Sequence, residues 1–173
     1  MLGLGRLYDI GLGAAPVDLA TAGITGKRIA MTNCGGVDIV LVYGAGGASD
    51  NPVPSLQQHT AYTGGTTATL AVIDKFWHKS ETLLDNDETW VKETQTAAAI
   101  ITAITGEGAK EKIYVIHVPS ASLSDGYTHM SVNQADPGAT AQLVCALYLR
   151  VDLVHMRAPV LLPNLLNPGA VNV

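Results

Sequence analysis

The five histidines are the residues best suited to acid–base chemistry or metal binding, and their spacing favours neither. They lie far apart, without the spacing of a zinc-binding helix and without a cysteine pair nearby: His59, His78, His117, His129 and His155. His117 lies in an alternating segment, on the side opposite Tyr114 and Ile116. We expect it to be a hydrogen-bonded packing residue or an interface contact. A metal site gathered from distant positions stays open as an alternative.

Residues 44–49 are rich in glycine, follow a predicted strand and resemble a dinucleotide- or phosphate-binding loop. Ser49 stands where that fingerprint has its third glycine. Pro52 and Pro54 occupy the positions where a helix would have to begin and receive the phosphate. The sequence also contains no Gly-x-Ser-x-Gly nucleophile elbow. We therefore interpret the segment as a glycine-rich turn, and we predict no catalytic, cofactor-binding or metal-ligating residue and no enzyme.

Asp85, Asp87 and Glu88 form a carboxylate cluster whose spacing suits the start of a helix. A calcium loop is not indicated, because the glycine and the terminal glutamate of such a loop are missing. Apolar and small residues follow at helical spacing from Trp90 to Ile104, and Gly106 is a plausible stop. The pattern predicts one peripheral helix.

Strands account for most of the remaining chain. Residues 143–154 alternate over a long stretch and predict a strand with one fully apolar face, of a length that suggests a bend or bulge. Residues 112–118 predict another strand. Residues 38–43 are apolar almost without interruption, as expected where both faces of a strand are buried. Shorter strands are predicted within 27–33, 66–77 and 128–134. Together these segments predict a mainly β domain over 27–157, a β-sandwich of Greek-key or jelly-roll type.

The composition favours a single domain that is covered by other chains. The 173 residues suffice for one core, and charged residues make up only 14%, well below the usual quarter. The alternative is a secreted domain, or a domain whose surface simply carries few charges. The net charge is −5 and the basic residues are scattered, so direct nucleic-acid binding is not expected. We expect no membrane span and no signal peptide, and we expect Cys34 and Cys145 to be reduced.

The two ends of the chain are apolar but irregular, and we interpret residues 1–26 and 158–173 as extended arms. Interspersed glycines make the first a poor helix, and prolines prevent a long helix in the second. Their large apolar residues are the predicted interface residues: Leu2, Leu4, Leu7, Tyr8, Leu161, Leu162, Leu165 and Leu166.

Several segments together resemble the capsid cement or decoration proteins of tailed bacteriophages. The resemblance spans most of the domain and consists of soft patterns: Gly26-Lys27-Arg28, the polar loop after Val42-Tyr43, Asp125-Gly126-Tyr127, residues 135–142, residues 147–153 and the tail Ala158-Pro159 to Leu162-Pro163. It implies a jelly-roll virion protein on the capsid surface that bridges major capsid subunits and self-associates as a dimer or trimer. It implies no cofactor and no catalytic residue.

Two other function classes stay open at this point. A ligand- or glycan-binding β-sandwich would need exposed aromatic residues in a groove, for which Tyr43, Tyr62, Trp77 and Trp90 are the candidates. A cupin-like metalloenzyme would need a bound transition metal.

Overall fold

The computed structural model describes residues 3–159, 162 and 164–166 of the chain. Over these residues the protein is mainly β, and its strands form two antiparallel sheets that pack as a sandwich. The strands are β1 (Tyr8–Asp18), β2 (Ile24–Thr25), β3 (Ile29–Ala30), β4 (Cys34–Tyr43), β5 (Ser55–His59), β6 (Thr67–Thr69), β7 (Ile73–Glu81), β8 (Val91–Ala98), β9 (Glu111–Pro119), β10 (His129–Gln134) and β11 (Leu143–Leu153). The mainly β prediction is thus confirmed, together with its sandwich-like arrangement.

The larger sheet has six strands in the order β1-β11-β4-β9-β7-β8. The smaller sheet has the order β2-β10-β5-β6, and β3 also pairs with β10. The core lies between the sheets and consists of alternate residues of each strand, such as Ile39 and Leu41 on β4, Ile116 on β9, and Leu56 and Val132 on the smaller sheet. Hydrophobic burial along these rows fixes the register, since a slip by one residue would turn each row outward.

The predicted helix does not form, and residues 91–98 are strand β8 instead. β8 pairs with β7, for example Trp77 with Lys92 and Lys75 with Thr94. Asn86 adopts a left-handed backbone conformation (φ 80°) in the loop before it, which is incompatible with a continuing helix. β8 is an edge strand that buries few side chains, so its sequence lacks the alternation that marks β9 and β11. No α-helix occurs among the described residues, and Ser120–Ser122 form a short 3₁₀ turn.

Residues 8–18 form edge strand β1 of the larger sheet, although they were predicted to belong to an extended arm over residues 1–26. β1 pairs with β11 from Tyr8 to Asp18, with two register shifts that place extra residues on β1. The bulges are therefore on β1 and not on β11, where we expected one. Gly11 weakened the strand signal, and a Cβ at this position would lie 2.9 Å from the end of the Leu165 side chain, which would have to shift.

Two consecutive glycines, Gly35 and Gly36, lie inside a strand, since β4 begins at Cys34. A Cβ on Gly36 would lie 2.8 Å from the His117 ring and from the carbonyl oxygen of Val118. Glycine at this position allows β4 and β9 to approach closely, so the residue type reflects packing and not a turn.

Candidate protein-binding face

The outward side of the larger sheet is apolar across five of its strands. Where β4 turns Ile39 and Leu41 into the core, it turns Val40 and Val42 outward, and β9 likewise turns Val115 outward beside the buried Ile116. Residues of β11 follow the same rule. The row that the sequence marked as fully apolar points away from the core: Leu143, Cys145, Leu147, Leu149, Val151 and Leu153. The buried row of that strand is Val144, Ala146, Tyr148 and Arg150.

The register of the sheet aligns these outward residues into continuous rows. One row crosses five strands without a polar residue, through the pairs Leu12–Leu147, Leu147–Val40, Val40–Val115 and Val115–Trp77. A second row joins Cys145, Val42 and Ile113, and a third begins with Ile10 and Leu149. We call these ten residues the apolar outer face: Ile10, Leu12, Val40, Val42, Trp77, Ile113, Val115, Cys145, Leu147 and Leu149. The central row crosses five strands, or about 24 Å, and the other two rows add three and two residues beside it, so the ten residues fill roughly two thirds of an area of about 24 by 20 Å.

The side chains of the apolar outer face are open to solvent in this chain. Ile10, Leu12 and Val42 are 46%, 45% and 38% exposed, and the other seven are partly exposed. A contiguous apolar surface of this size is comparable to the largest patch on a typical monomeric protein, and such a patch is often functional.

Charged groups lie at the borders of the apolar outer face and not within it. Beyond Ile10 and Leu149 the third row continues into Asp38 and His117, whose Oδ1 and Nδ1 atoms are 2.6 Å apart. At the β7–β8 edge, the Nζ atom of Lys79 lies 5.2 Å from the centre of the Trp90 ring. An apolar centre with a polar rim is the usual anatomy of a protein–protein interface.

His59 and His129, two of the predicted candidates for chemistry, pair across β5 and β10 on the outward side of the smaller sheet. The His59 ring bonds to the hydroxyls of Thr67 (2.9 Å) and Ser131 (2.8 Å). Burial, assisted by the charges of Arg28 and His129, lowers the pKa of His59 to about 4. Both ring nitrogens of His59 are therefore occupied in a neutral ring, which indicates a structural role.

The remaining histidines are dispersed. His78 lies on the inward side of β7, with its Nε2 atom 3.4 Å from Glu93 and its Nδ1 atom 3.8 Å from Glu107. His117 is the hydrogen-bonded partner of Asp38 described above, in line with its predicted role, and His155 is exposed. In the described part of the chain, one group of three or more histidine, cysteine or acidic side chains is close enough to share a metal ion. It consists of Asp85, Asp87 and Glu88.

That acidic cluster lies in the loop between β7 and β8 instead of at a helix start. The Glu88 carboxylate accepts a hydrogen bond from the Asp85 amide at 2.7 Å, and the Asp85 carboxylate accepts one from the Asp87 amide at 3.4 Å. The carboxylates thus shape their own loop.

The glycine-rich segment 44–49 also uses its polar groups within the chain, because the Gly46 amide donates to the Gly108 carbonyl and the Gly47 amide donates to Asp50. These amides are not available to cradle a phosphate.

The predicted interface residues near the chain ends lie in several different places. Leu4 bridges to Tyr8 at the start of β1, Tyr8 pairs with Val151, and Leu7 is 65% exposed. Leu165 packs on the chain's own core, and its carbonyl accepts a hydrogen bond from Ala30 at 2.9 Å. The Leu166 carbonyl lies 2.7 Å from the His129 ring.

Leu162 is partly buried beside Arg150, in a cavity of about 60 Å³. Leu2 and Leu161 lie outside the described residues. The described leucines of the C-terminal segment therefore contact their own domain.

The four aromatic residues considered for glycan binding do not share a groove. Tyr43 is buried, Trp77 belongs to the apolar outer face, and Trp90 lies beside Lys79. Tyr62 is 46% exposed and lines an open cleft of about 650 Å³ together with Arg28, Leu165 and others.

Sequence reasoning did not single out the apolar outer face, although the sequence carries a signal for it. Residues 38–43 were interpreted as a strand with both faces buried. The structure buries one of those faces and leaves Val40 and Val42 on the other without a covering layer among the described residues. A strand that is apolar on both sides of an antiparallel sandwich is thus a sequence signal for an exposed apolar face.

Comparison of the chain with protein-family models, curated proteins and solved structures found no match. Within the described ranges, no helix is long and apolar enough to cross a membrane.

Proposed function

We propose that this protein is a structural subunit that binds other protein chains through its apolar outer face. The observation that carries the proposal is the row from Leu12 to Trp77, which crosses five strands without a polar residue and has no layer above it among the described residues. The low charge content of the chain supports the same conclusion. Covering about 500 Å² of apolar surface would contribute about 12 kcal/mol. That gain is comparable to the 4–15 kcal/mol that association is estimated to cost.

We propose further that the assembly is a virus capsid, on whose surface the protein bridges neighbouring major capsid subunits, and that the sandwich is of jelly-roll type. The support is the resemblance to phage decoration proteins together with the sandwich of two antiparallel sheets. No catalytic step is assigned, because the buried histidine pair is engaged by hydroxyl groups and the acidic and glycine-rich loops bind their own backbone.

The test is to add the purified chain to capsid shells from the same source and to separate bound from free chain by density-gradient sedimentation. The wild type should sediment with the shells and raise their rupture temperature. Leu147→Lys, which places a charge in the middle of the apolar outer face, should abolish both effects. Leu83→Lys is the matched control, since Leu83 is 65% exposed in the β7–β8 loop and lies off the face. Failure of the wild type to bind, or equal binding by Leu147→Lys, would contradict the proposal.

A second candidate function is glycan binding in the cleft beside Tyr62. The specific observation is an exposed tyrosine ring at a cleft of about 650 Å³, whose wall is fixed by Arg28 donating to the carbonyls of Ala61 and Gly64, both at 2.7 Å. Binding of the isolated chain to a glycan array, lost in Tyr62→Ala and kept in Leu147→Lys, would support this function over the first.

A further inference from the structure

We infer that the small cavity beside Arg150 is a binding site for a protonated tetrahedral oxyanion, of which dihydrogen phosphate is the simplest. The cavity has a volume of about 60 Å³ and is lined by residues from four separate parts of the chain: Asp9, Asn33, Arg150, Leu153, His155, Arg157 and Leu162. None of them belongs to the apolar outer face. The inference is therefore independent of the proposed function, and the two are tested separately.

The cavity contains a buried donor and a buried acceptor that are not satisfied by the protein. Arg150 is 1% exposed and Asp9 is 5% exposed. In the described part of the chain, neither the Nε atom of Arg150 nor the Oδ2 atom of Asp9 has a hydrogen-bond partner. The Nη1 atom of Arg150 lies 4.0 Å from Oδ2 of Asp9, which is too far for a hydrogen bond. Buried polar atoms without partners are costly, so a group that both accepts and donates would stabilise this site.

The backbone holds both side chains at the cavity. Asp9 on β1 and Arg150 on β11 are paired residues of the larger sheet, and both face inward. The Nη2 atom of Arg150 donates a hydrogen bond to the Thr32 carbonyl, which fixes one end of the guanidinium. Burial raises the pKa of Asp9 although the charge of Arg150 acts in the opposite direction. The carboxylate is thus incompletely compensated by its neighbour.

The charges around the cavity favour an anion over a water molecule. Arg150 and Arg157 carry permanent positive charges, and His155 adds a further basic group. Among the described lining residues, Asp9 is the single acidic one, and Asp152 nearby is exposed and does not line the cavity. Two guanidinium groups and one carboxylate leave one positive charge, in a chain whose net charge is −5. A monoanion would balance that charge, and water would not.

The unpartnered carboxylate oxygen selects among oxyanions. Near neutral pH, phosphate keeps at least one proton, so one of its hydroxyls can donate to Asp9 while another oxygen accepts from Arg150. Sulfate carries no proton and would place a negative oxygen against the carboxylate. A site that leaves a buried acceptor unpaired discriminates strongly against such a ligand. The volume of the cavity also exceeds the roughly 15 Å³ that a single water molecule needs.

A bound anion would connect parts of the chain that are distant in sequence. Asp9 and Arg150 lie on two strands, whereas Arg157 and Leu162 belong to the segment after β11. The Arg157 amide already donates to the Gly5 carbonyl at 2.8 Å, so this segment crosses beside the start of β1. The anion would hold the segment against the domain. Because the site exists only in the folded chain, binding should raise the unfolding temperature.

The first experiment is isothermal titration calorimetry of the full chain at about pH 6.5, where phosphate is mostly a monoanion. Phosphate should bind with a dissociation constant below about 1 mM, and sulfate at least about tenfold more weakly. Thermal unfolding at matched ionic strength should give the same order. Absence of phosphate binding at about 10 mM, or equal binding of phosphate and sulfate, would overturn the inference.

Methyl phosphate distinguishes the two sources of such a group. Comparable binding of methyl phosphate and phosphate would support the site and identify a phosphoryl group carried by a larger molecule as an occupant. Binding of phosphate alone would support the site and identify the free ion. Binding of neither would overturn the inference.

The second experiment removes a charge from the rim of the cavity. Arg157 is exposed, so Arg157→Ala should leave the fold intact, as circular dichroism verifies, and should raise the dissociation constant of phosphate at least about tenfold. Lys92→Ala is the control, because it removes an exposed positive charge on β8, at the opposite edge of the larger sheet. Equal affinity in Arg157→Ala and the control would contradict the site.

The third experiment changes the selectivity. Asp9→Asn replaces the acceptor with a side chain that can also donate, so sulfate should bind at least about tenfold more tightly than it binds to the wild type. A purely structural role of Asp9 would not produce this change. An unaltered preference for phosphate in a folded Asp9→Asn chain would overturn the assigned role. If that variant does not fold, the comparison of anions on the wild type and on Arg157→Ala decides.

Discussion

The two sheets of this protein differ in the character of their outward sides. The larger sheet turns valine, leucine, isoleucine and tryptophan outward. The smaller sheet turns only polar residues outward from β5, β6 and β10: Ser55, Gln57, His59, Thr67, Thr69, His129, Ser131 and Asn133. Both sheets contribute to the same core, so the need to fold does not explain the difference. We propose that the difference reflects what covers each outward side: water and the chain's own loops on the smaller sheet, and another protein on the larger one.

The first prediction compares the two sides of one strand in the larger sheet. Ile116→Ala removes a fully buried side chain, and we expect it to lower the free energy of unfolding by about 2–5 kcal/mol. Val115→Ala, one residue earlier on the outward side, should lower it by less than about 1 kcal/mol. Urea unfolding of both variants measures the difference. Equal losses would mean that the outward row is part of the folding core.

The second prediction concerns the polar side of the smaller sheet. The pKa of His59 is lowered to about 4, so between that value and the ordinary 6.5 the unfolded chain binds a proton that the folded chain does not. Lowering the pH through this window should therefore reduce the free energy of unfolding, by up to about 3 kcal/mol. Denaturation at several pH values should show this slope in the wild type and in the control His155→Gln, and a weaker slope in His59→Gln. An identical slope in all three would exclude His59 as its source.

The third prediction addresses the link between the sheets. The Tyr148 hydroxyl on β11 accepts a hydrogen bond from the Val132 amide on β10 and donates one to the Lys27 carbonyl, both at 2.9 Å. Tyr148→Phe leaves both backbone groups without this partner, and we expect a loss of about 1–3 kcal/mol. Thermal unfolding monitors the change, with Tyr62→Phe at the surface as the control. A loss no larger than that of the control would show that the hydroxyl does not couple the sheets.

The fourth and smallest effect is expected at the polar rim of the apolar outer face. Asp38 and His117 have side chains that are 33% and 39% exposed, so their hydrogen bond competes with solvent. We expect Asp38→Asn to change the free energy of unfolding by less than about 1 kcal/mol, measured by urea titration at neutral pH. A loss above about 2 kcal/mol would mean that the pair anchors the sheet.

The strands of the core could be predicted from the sequence where burial imposes a clear pattern. Residues 112–118 and 143–154 match β9 and β11 to within one residue at each end, because their buried and outward side chains alternate along the strand. The edge strands were missed. β1 is interrupted by glycines that pack closely, and β8 buries too little to alternate, so neither carried the pattern on which such predictions depend.

The apolar outer face could not be located from the sequence, because alternation separates the two sides of a strand without indicating which of them faces the core. On β11 the row with the more polar composition is the buried one, since Arg150 bonds to the carbonyl of Thr32 and Tyr148 to Val132 and Lys27. Only the pairing of β11 with its neighbours shows that Leu147 and Leu149 point outward. The weight placed on the chain ends as the binding surface followed from that ambiguity. Whether those ends also contact a partner stays a prediction.

The two bulges of β1 bear on how growth of an assembly is limited. A regular, flat edge strand is a template on which further strands can be added without end. The extra residues between Leu12 and Val17 twist this edge and break its hydrogen-bonding repeat, so the sheet is a poor seed for extension. A molecule with one bare apolar side has particular need of such a stop. With this edge closed to strand addition, an isologous contact through the apolar side would give a closed object of defined size instead of a fibre.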